Sequence, residues 1–471
     1  MAARALDLVR REYILVLIAG GYVLFRVAGF AEAEPETFID TSSYERTADE
    51  PVTSQDFLAG ARAPTLPLLY GMVTGDEARI WMQLGISIAC CLALAGVVAA
   101  AIRDRVLRPL AFGAVLLFAL APEIVLWDAA LLSESVSLSL TAALVAAWIR
   151  ALGHPSAWAY GLVLAVSAAW ALVRDPHAYV AAGIGLALAV SILLVRVGGG
   201  PRRMCAVASA GLVLIAAIGV WSGTSHFARW AYPLQNVFSL RIADEPGQLA
   251  HFQDAGMPVS PELLEAMRVH RETGQIVLEH PPGYDTSAAL EQATPFHRWL
   301  LTEGRGAYTR FLLTHPAVVA EGFGYLGETL LDPELIHFTP DSSAWDAEPS
   351  AAVYPRRKVP LLALLLGAVT AALCVGLRNG PRREWWAPAF LIASSVPFAI
   401  LVHHAGALEP DRHGLVPSVF LRLGALLLLL FAIDHRLRAR AEGHAPGPLR
   451  PAEGSRGRES RRAHGEARAS S

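Results

Sequence analysis

The carboxylate of Asp40 is the group in this chain best suited to proton-transfer chemistry. It lies in the stretch FIDTSSY (residues 38–44), which opens a long polar segment shortly after the first apolar run. An aspartate held near a membrane surface could take a proton from an acceptor hydroxyl, a general-base role worth about 10²–10⁴ in rate. A helix cap is the alternative, because Asp followed by Thr and Ser suits a helix start. Asp49 and Glu50 are weaker candidates for the same role.

Charged residues at the ends of later apolar runs could handle an anionic substrate. Glu134 lies in LLSES (residues 131–135), where a boundary acid is a candidate for function, although a first-turn glutamate also complements the helix dipole. Arg174 and Asp175 interrupt a pair of apolar runs, and the forked guanidinium of Arg174 could clamp a lipid-linked phosphate. An ion pair or snorkelling to the headgroups is the alternative for Arg174. Asp128, just before Glu134, is predicted to be solvated.

The segment before the last apolar run adds a cation and several imidazoles. His403 and His404 are followed by EPDRH at residues 409–413, which places Arg412 near the other charged residues. These histidines and acids could bind a metal, but their spacing matches no ligand motif. All four cysteines lie within apolar runs, which argues against a zinc site or a disulfide framework. The sequence therefore predicts no metal and no other cofactor.

Composition limits the class of protein. Hydrophobic residues make up 54% of the chain and charged residues 17%, whereas a soluble protein typically has about 25% charged residues. The sequence has no glycine-rich phosphate loop, nucleotide-binding fingerprint, zincin helix or Gly-x-Ser-x-Gly elbow. The chain is therefore predicted to be an integral membrane protein, without an ATP-driven cytoplasmic machine and without a nucleic-acid partner.

Long apolar runs define the fold class, because a membrane-spanning helix needs about 20 mostly apolar residues and must pair its own backbone polar groups. The sequence predicts an all-α integral membrane protein with about ten transmembrane helices. Their predicted bounds are 12–30, 80–102, 109–127, 132–152, 156–173, 177–196, 204–223, 359–377, 385–402 and 415–433. These spans must position the charged residues at one membrane face.

The distribution of arginine predicts which face that is. Starting from a cytoplasmic amino terminus, alternation of the spans puts the Arg-rich loops inside, as the positive-inside rule requires. These loops lie at residues 103–108, 196–203, 378–383 and 436–440. Asp40, Glu134, Arg174 and Arg412 then fall together at the outer face, and both termini are predicted to be cytoplasmic.

Four regions follow from this topology. They are an N-terminal transmembrane module (1–223) with a long first outer loop (31–79), a mostly helical outer insertion (224–358), C-terminal transmembrane helices (359–433), and an Arg-rich cytoplasmic tail (434–471). The tail is predicted to be disordered, because its Gly, Pro, Ser and Arg residues cannot bury apolar surface. Contact of the tail with anionic lipid is a further expectation.

The motifs and their order resemble the GT-C superfamily of polytopic glycosyltransferases. The residues that carry the resemblance are FIDTSSY at 38–44, RAPTLPLL at 62–69, LLSES at 131–135 and EPDRH at 409–413. It extends over about residues 10–200 and 400–430. Members of that superfamily use polyprenyl-phosphate sugars at the outer face of the membrane, with an acid of the first outer loop as catalytic base.

The resemblance implies transfer of a sugar from a polyprenyl-phosphate donor to a cell-envelope acceptor (a glycan, lipid or protein), with inversion at the anomeric carbon. Asp40 would be the general base, and Glu134 would orient the donor or the acceptor. Substrate binding is predicted for the other polar residues, which are Tyr44, Arg62, Arg174, Asp175, His404 and Arg412. Membrane lipid is a predicted partner. A composition rich in Ala and Arg and poor in Lys suggests a GC-rich bacterium, and hence a bacterial plasma membrane and a decaprenyl- or undecaprenyl-type carrier. The resemblance then implies a role in cell wall biogenesis.

A protein of another class would also fit the sequence. A non-catalytic transporter of lipid-linked precursors, or a scaffold for envelope assembly, would share the spans and the outer segments. That alternative predicts that Asp40→Asn leaves function nearly intact. A transporter should also depend on charges deep within its helices, which the sequence scarcely provides.

Overall fold

The computed structural model describes residues 2–194, 199–273, 293–331, 348–380, 382–407 and 410–443. Within them the regular structure is helical apart from one isolated β-bridge, and eight helices are long and apolar enough to cross a membrane. These are α1 (Ala2–Phe30), α5 (Asp76–Ala101), α8 (Ser133–Gly153), α10 (Asp175–Leu194), α11 (Gly199–Thr224), α18 (Lys358–Asn379), α19 (Trp386–Ala405) and α20 (Pro410–Gly443). The predicted fold class, an all-α integral membrane protein, is confirmed.

Two of the ten predicted spans differ from simple transmembrane helices. The third is broken into α6 (Leu107–Phe118) and α7 (Pro122–Val125), which meet at a bend of 60° and would make a ninth span if counted together. Pro122 explains the break, because the residue before a proline is disfavoured in the helical conformation. The fifth, α9 (Ala157–Ala171), has 15 residues. At about 23 Å, it is shorter than a bilayer core.

Helix α20 is the central element of the membrane domain. In its most apolar window 89% of the residues are buried inside the protein, against 17% for α1 and for α18. The helix continues to Gly443, past the predicted end of the last span, so residues 434–443 are helical rather than disordered. The rest of the predicted tail lies outside the described residues. Because α20 is enclosed along its length, charged side chains at its two ends must find partners within the protein.

The predicted first outer loop folds into three short helices that are fixed to the membrane domain. They are α2 (Thr41–Ala48), α3 (Gln55–Leu58) and α4 (Thr65–Tyr70). Glu36 forms the isolated bridge with Ala130, and the Thr41 hydroxyl donates to the carbonyl of Leu131 at 3.0 Å. At the other end of the loop, the Thr65 amide donates to the carbonyl of Leu172 at 3.1 Å. The loop is thus held against the start of α8 and the end of α9.

The insertion after α11 is helical in its described parts and has a core of its own. Its helices are α12 (Ala231–Val237), α13 (Pro246–Asp254), α14 (Pro261–Thr273), α15 (Pro295–Trp299), α16 (Arg305–Thr314) and α17 (Pro316–Thr329). Several begin with proline, which suits the first turn because its missing N–H has no partner there. The core is an aromatic group around Phe238, Phe252 and Phe311. Arg241 joins this core to α19 by donating to the carbonyl of His403 at 2.6 Å.

Candidate functional site

Asp40 lies where the first outer loop meets the membrane domain. It directly precedes α2, the position of a cap, but its side chain makes no cap hydrogen bond. Its Oδ1 accepts from Arg62 Nη2 at 2.5 Å, and its Oδ2 accepts from Arg412 Nη1 at 3.3 Å. The side chain of Asp40 is 25% exposed. The carboxylate is therefore held by two guanidiniums on a side chain that keeps a quarter of its surface exposed.

Helix α2 fixes Arg62 as well as Asp40. Arg62 Nε donates to Ser43 Oγ at 2.5 Å, and that hydroxyl donates to the carbonyl of Asp40 at 2.6 Å. The guanidinium of Arg62 lies over the ring of Tyr44, 4.8 Å from its centroid, which is a favourable cation–π position. Tyr44 is buried. It therefore forms a platform beneath Arg62.

Glu134 is fully buried in the first turn of α8. Its Oε1 accepts from Arg412 Nε at 2.5 Å and lies 3.1 Å from Arg174 Nη1. A buried carboxylate is tolerated only when cations and hydrogen bonds satisfy it, and two guanidiniums supply both here. Glu134 therefore holds Arg174 and Arg412 side by side.

His413 completes the environment of Arg174. Arg174 Nη2 lies 2.6 Å from His413 Nδ1, and because a guanidinium can only donate, Nδ1 must be the acceptor. The imidazole is therefore neutral in this arrangement. Arg174 Nη2 thus contacts His413, while Nη1 contacts Glu134.

Together, Asp40, Arg62, Glu134, Arg174 and Arg412 form what we term the charge cluster. It has three guanidiniums and two carboxylates, and thus an excess of one positive charge among these side chains. Burial alone would raise the pKa of the Asp40 carboxyl, but Arg62 and Arg412 hold it below its ordinary value. At neutral pH the cluster accordingly presents an ionised, partly open carboxylate beside cations that could bind an anion.

Asp175 was predicted to bind substrate, but it is engaged by an arginine that the sequence did not single out. Arg229 pairs with Asp175 through Nη2 at 2.7 Å and Nε at 3.0 Å, and its Nη1 donates to the carbonyl of Gly60 at 2.9 Å. Arg229 follows the carboxyl end of α11 and is far from both partners in sequence. It stabilises the loop before Arg62, because its Nη1 also donates to the carbonyl of Arg62 at 3.4 Å.

His404, the other predicted substrate-binding residue, is placed apart from the charge cluster. It is buried at the end of α19, where its carbonyl accepts from the Tyr308 hydroxyl at 3.2 Å and its ring packs against His403. Because α19 ends beneath the insertion, this histidine packs against α16 and α17 instead of the first outer loop. Substrate binding by His404 stays a prediction.

The remaining candidates have varied surroundings. Asp49 and Glu50 are exposed. Asp128 is buried rather than solvated, because Arg26 forms an ion pair with it and Ser135 donates to it. Glu409 and the side chain of Asp411 lie outside the described residues. In the described parts of the chain, no group of three His, Cys, Asp or Glu side chains could hold a metal ion, and the predicted absence of a metal stays a prediction.

Comparisons with known proteins leave the function open. No protein-family model matches this chain, and no curated protein matches it by sequence. Among solved structures it is similar to the archaeal oligosaccharyltransferase AglB from Archaeoglobus fulgidus, determined with an inhibitory peptide and a dolichol-phosphate. The identity is 13%, the TM-score is 0.45, and the alignment covers 93% of this chain and 52% of that one. The chain thus spans about half the length of AglB, and so low a score establishes no common fold.

Proposed function

We propose that this protein transfers a sugar from a polyprenyl-phosphate donor to a cell-envelope acceptor, with inversion at the anomeric carbon. The observation that carries the proposal is the charge cluster, in which an open, ionised Asp40 lies beside the paired guanidiniums of Arg174 and Arg412. An inverting transfer needs a base for the acceptor hydroxyl and a cationic site for the departing phosphate. The charge cluster offers both within one set of ion pairs.

The negative charge of the donor complements the excess positive charge of the charge cluster. The phosphodiester of a polyprenyl-phosphate sugar carries one negative charge, which would offset the excess positive charge of the five side chains. Guanidiniums bind phosphate oxygens with two parallel N–H donors. Arg174 and Arg412 would thus hold the donor phosphate, and the leaving phosphate, which gains negative charge as the bond breaks, would be held more strongly than the donor.

Glu134 acts in this proposal through the two arginines. It has no exposed surface, so it contacts no substrate in this arrangement. Its buried carboxylate fixes both guanidiniums in a forked position before the donor arrives, which avoids their reorganisation during the reaction. We therefore propose that Glu134 has a positioning role and orients the donor through the two arginines.

The proposed reaction is a single displacement. The acceptor oxygen forms a bond to the anomeric carbon while its proton passes to an Asp40 carboxylate oxygen. The bond between that carbon and the phosphate oxygen breaks, and its electron pair leaves with the polyprenyl phosphate. Arg62 would move little, since Ser43 and Tyr44 hold it.

The cellular setting belongs to the same proposal. A bacterial plasma membrane is supported by the composition, and cytoplasmic termini by the distribution of arginine. The acceptor in this proposal is a glycan, lipid or protein. A contribution to cell wall biogenesis would follow from such an acceptor.

The test is transfer of radiolabelled sugar from a panel of polyprenyl-phosphate donors by the protein in lipid nanodiscs. We expect wild-type transfer to fall by about 10²–10⁴ in Asp40→Asn, with donor binding retained. Asp49→Asn is the matched control, because Asp49 is an exposed acid at the other end of α2, and it should transfer normally. Donor binding without transfer by the wild type would favour a lipid-linked precursor carrier. An absence of both would favour a scaffold.

A further inference from the structure

A second cationic feature lies on the insertion, at the predicted outer end of α11. There, a groove of about 670 Å³ is lined by Thr224, Trp230, Arg305, Arg310 and the adjacent face of α16. Gly306 forms part of its floor, and an added Cβ at this glycine would meet no atom within 4 Å. It is an open surface depression and not an enclosed cavity. We refer to it as the α16 groove.

The arginines of the α16 groove differ from most arginines of the predicted outer segments. Most of those have a carboxylate partner, namely Arg62, Arg79, Arg174, Arg229, Arg268, Arg271, Arg356 and Arg412. In the part of the chain that the structure describes, no carboxylate forms an ion pair with Arg305 or Arg310. The guanidinium of Arg305 instead lies over the ring of Trp230, 5.7 Å from its centroid. Two exposed cations thus face the same open space.

The groove lies at the level where lipid headgroups are expected. Thr224 is the last residue of the apolar span Arg202–Thr224. Trp221, one turn earlier in α11, is exposed, and so is Leu313, with 78% of its surface accessible. Tryptophan is enriched at the interface between bilayer and water. An amphiphile could therefore place its charged group between Arg305 and Arg310 and its apolar part along Leu313.

The α16 groove and the charge cluster are separate sites. Gly223 and Arg229 both lie next to Asp175. A Cβ added at Gly223 would be 3.0 Å from Asp175 Oδ1, and Arg229 forms an ion pair with Asp175. Each directly precedes a residue that lines the groove. The Asp175–Arg229 pair thus adjoins the groove residues Thr224 and Trp230 on one side of the chain and Arg174 of the charge cluster on the other.

We propose that the α16 groove binds the phosphate headgroup of an anionic membrane lipid from the adjoining leaflet. The two arginines recognise the phosphate, the indole of Trp230 keeps Arg305 in position, and Leu313 contacts the acyl region. This proposal is independent of the proposed function. It assigns the insertion a role in holding the protein against an anionic membrane surface.

The experiment measures lipid retention by the full chain in detergent, using native mass spectrometry. Phosphatidylglycerol and phosphatidylcholine are titrated separately, and glycerol phosphate is added as a competitor to separate headgroup recognition from binding of free phosphate. We expect the wild type to bind phosphatidylglycerol more tightly, and the double variant Arg305→Gln with Arg310→Gln to bind it about thirtyfold more weakly. The matched control is Arg268→Gln with Arg298→Gln, which removes two exposed arginines elsewhere on the insertion and should bind as wild type.

A second variant tests the shape of the groove without changing its charge. Gly306→Leu fills the floor, and leucine favours a helix more than glycine does, so folding should be preserved. We expect it to weaken phosphatidylglycerol binding while both arginines remain. The proposal is overturned if the groove variants bind like wild type, if the control pair loses as much affinity as the groove pair, or if free glycerol phosphate displaces the lipid completely.

Discussion

Two sets of buried charges lie at opposite ends of α20 and differ in how completely they are paired. Arg412 belongs to the charge cluster, whereas Asp434 lies near the other end, about 33 Å along the helix. Asp434 Oδ1 accepts from the amides of Arg103 and Asp104 at 3.0 and 2.9 Å, and its Oδ2 is paired with Arg382 and Arg438. We term Asp434, Arg382 and Arg438 the Asp434 cluster. Their separation resembles the thickness of a bilayer core, about 30 Å.

The number of partners and the exposure of a carboxylate distinguish a structural charge from a reactive one. Asp434 is buried, and its four partners use both carboxylate oxygens, which leaves no room for a ligand. Asp40 has two partners and a quarter of its side chain exposed. The Asp434 cluster therefore joins α20 to the loop before α6. The charge cluster retains an accessible carboxylate and an excess of positive charge, so it can bind an anion and accept a proton.

Loss of Arg412 should have the largest effect. Arg412→Gln leaves the buried Glu134 with Arg174 as its remaining partner in the charge cluster and takes one partner from Asp40. Removing one member of a buried ion pair costs about 3–5 kcal/mol of unfolding free energy, and the donor phosphate also loses a ligand. We expect sugar transfer and donor binding to be lost and the protein to unfold at a lower denaturant concentration. Wild-type stability and transfer in this variant would contradict the assignment.

A change in the Asp434 cluster should lower stability without lowering transfer. Asp434→Asn leaves Arg438 without its anionic partner and Arg382 with Glu384 at 3.6 Å as its remaining one, and we expect a loss of about 3 kcal/mol in unfolding free energy. Transfer per folded molecule should remain at the wild-type level, because the variant leaves the charge cluster intact. Denaturation followed by a transfer assay on the folded fraction tests this. A loss of transfer at unchanged stability would remove the distinction between the two clusters.

Arg229 should have an intermediate effect, because it supports the loop before Arg62 without joining the charge cluster. Arg229→Gln breaks the pair with Asp175 and the bond to the Gly60 carbonyl. Hydrogen bonds to charged groups contribute about 1.5–3 kcal/mol, so we expect a loss of about 2 kcal/mol in unfolding free energy. The KM should rise while kcat is largely kept. A selective loss of kcat would instead indicate that Arg229 acts in the reaction.

The smallest expected effect is a change in pH dependence. In the wild type, Arg62 and Arg412 keep the pKa of Asp40 below its ordinary value, so transfer should fall only when the pH drops below that value. Arg62→Gln removes one of the cations, which raises the pKa of Asp40 and moves the acidic limb of the rate profile to higher pH. The rate at neutral pH should change little. A limb that does not move would show that another group sets the acidic limit.

The sequence predicted the fold class and singled out all five members of the charge cluster, because apolar length and the distribution of arginine are local signals. It overlooked the break before Pro122 and the shortness of α9, where the apolar run is longer than the helix. The sequence also did not predict which residues far apart in the chain are partners. Arg412 meets Glu134 across 278 positions, and neither Arg229 near Asp175 nor the position of His404 beneath the insertion has a sequence motif. Such contacts depend on how the helices pack.

The most direct test compares Asp40→Asn and Asp434→Asn in one set of nanodiscs, with donor binding, sugar transfer and unfolding measured for each. Asp40→Asn should bind donor but fail to transfer, with little loss of stability. Asp434→Asn should transfer normally while folded but unfold at a lower denaturant concentration. If Asp40→Asn transferred sugar at the wild-type rate, the carboxylate would not be the base, and the central claim would be wrong.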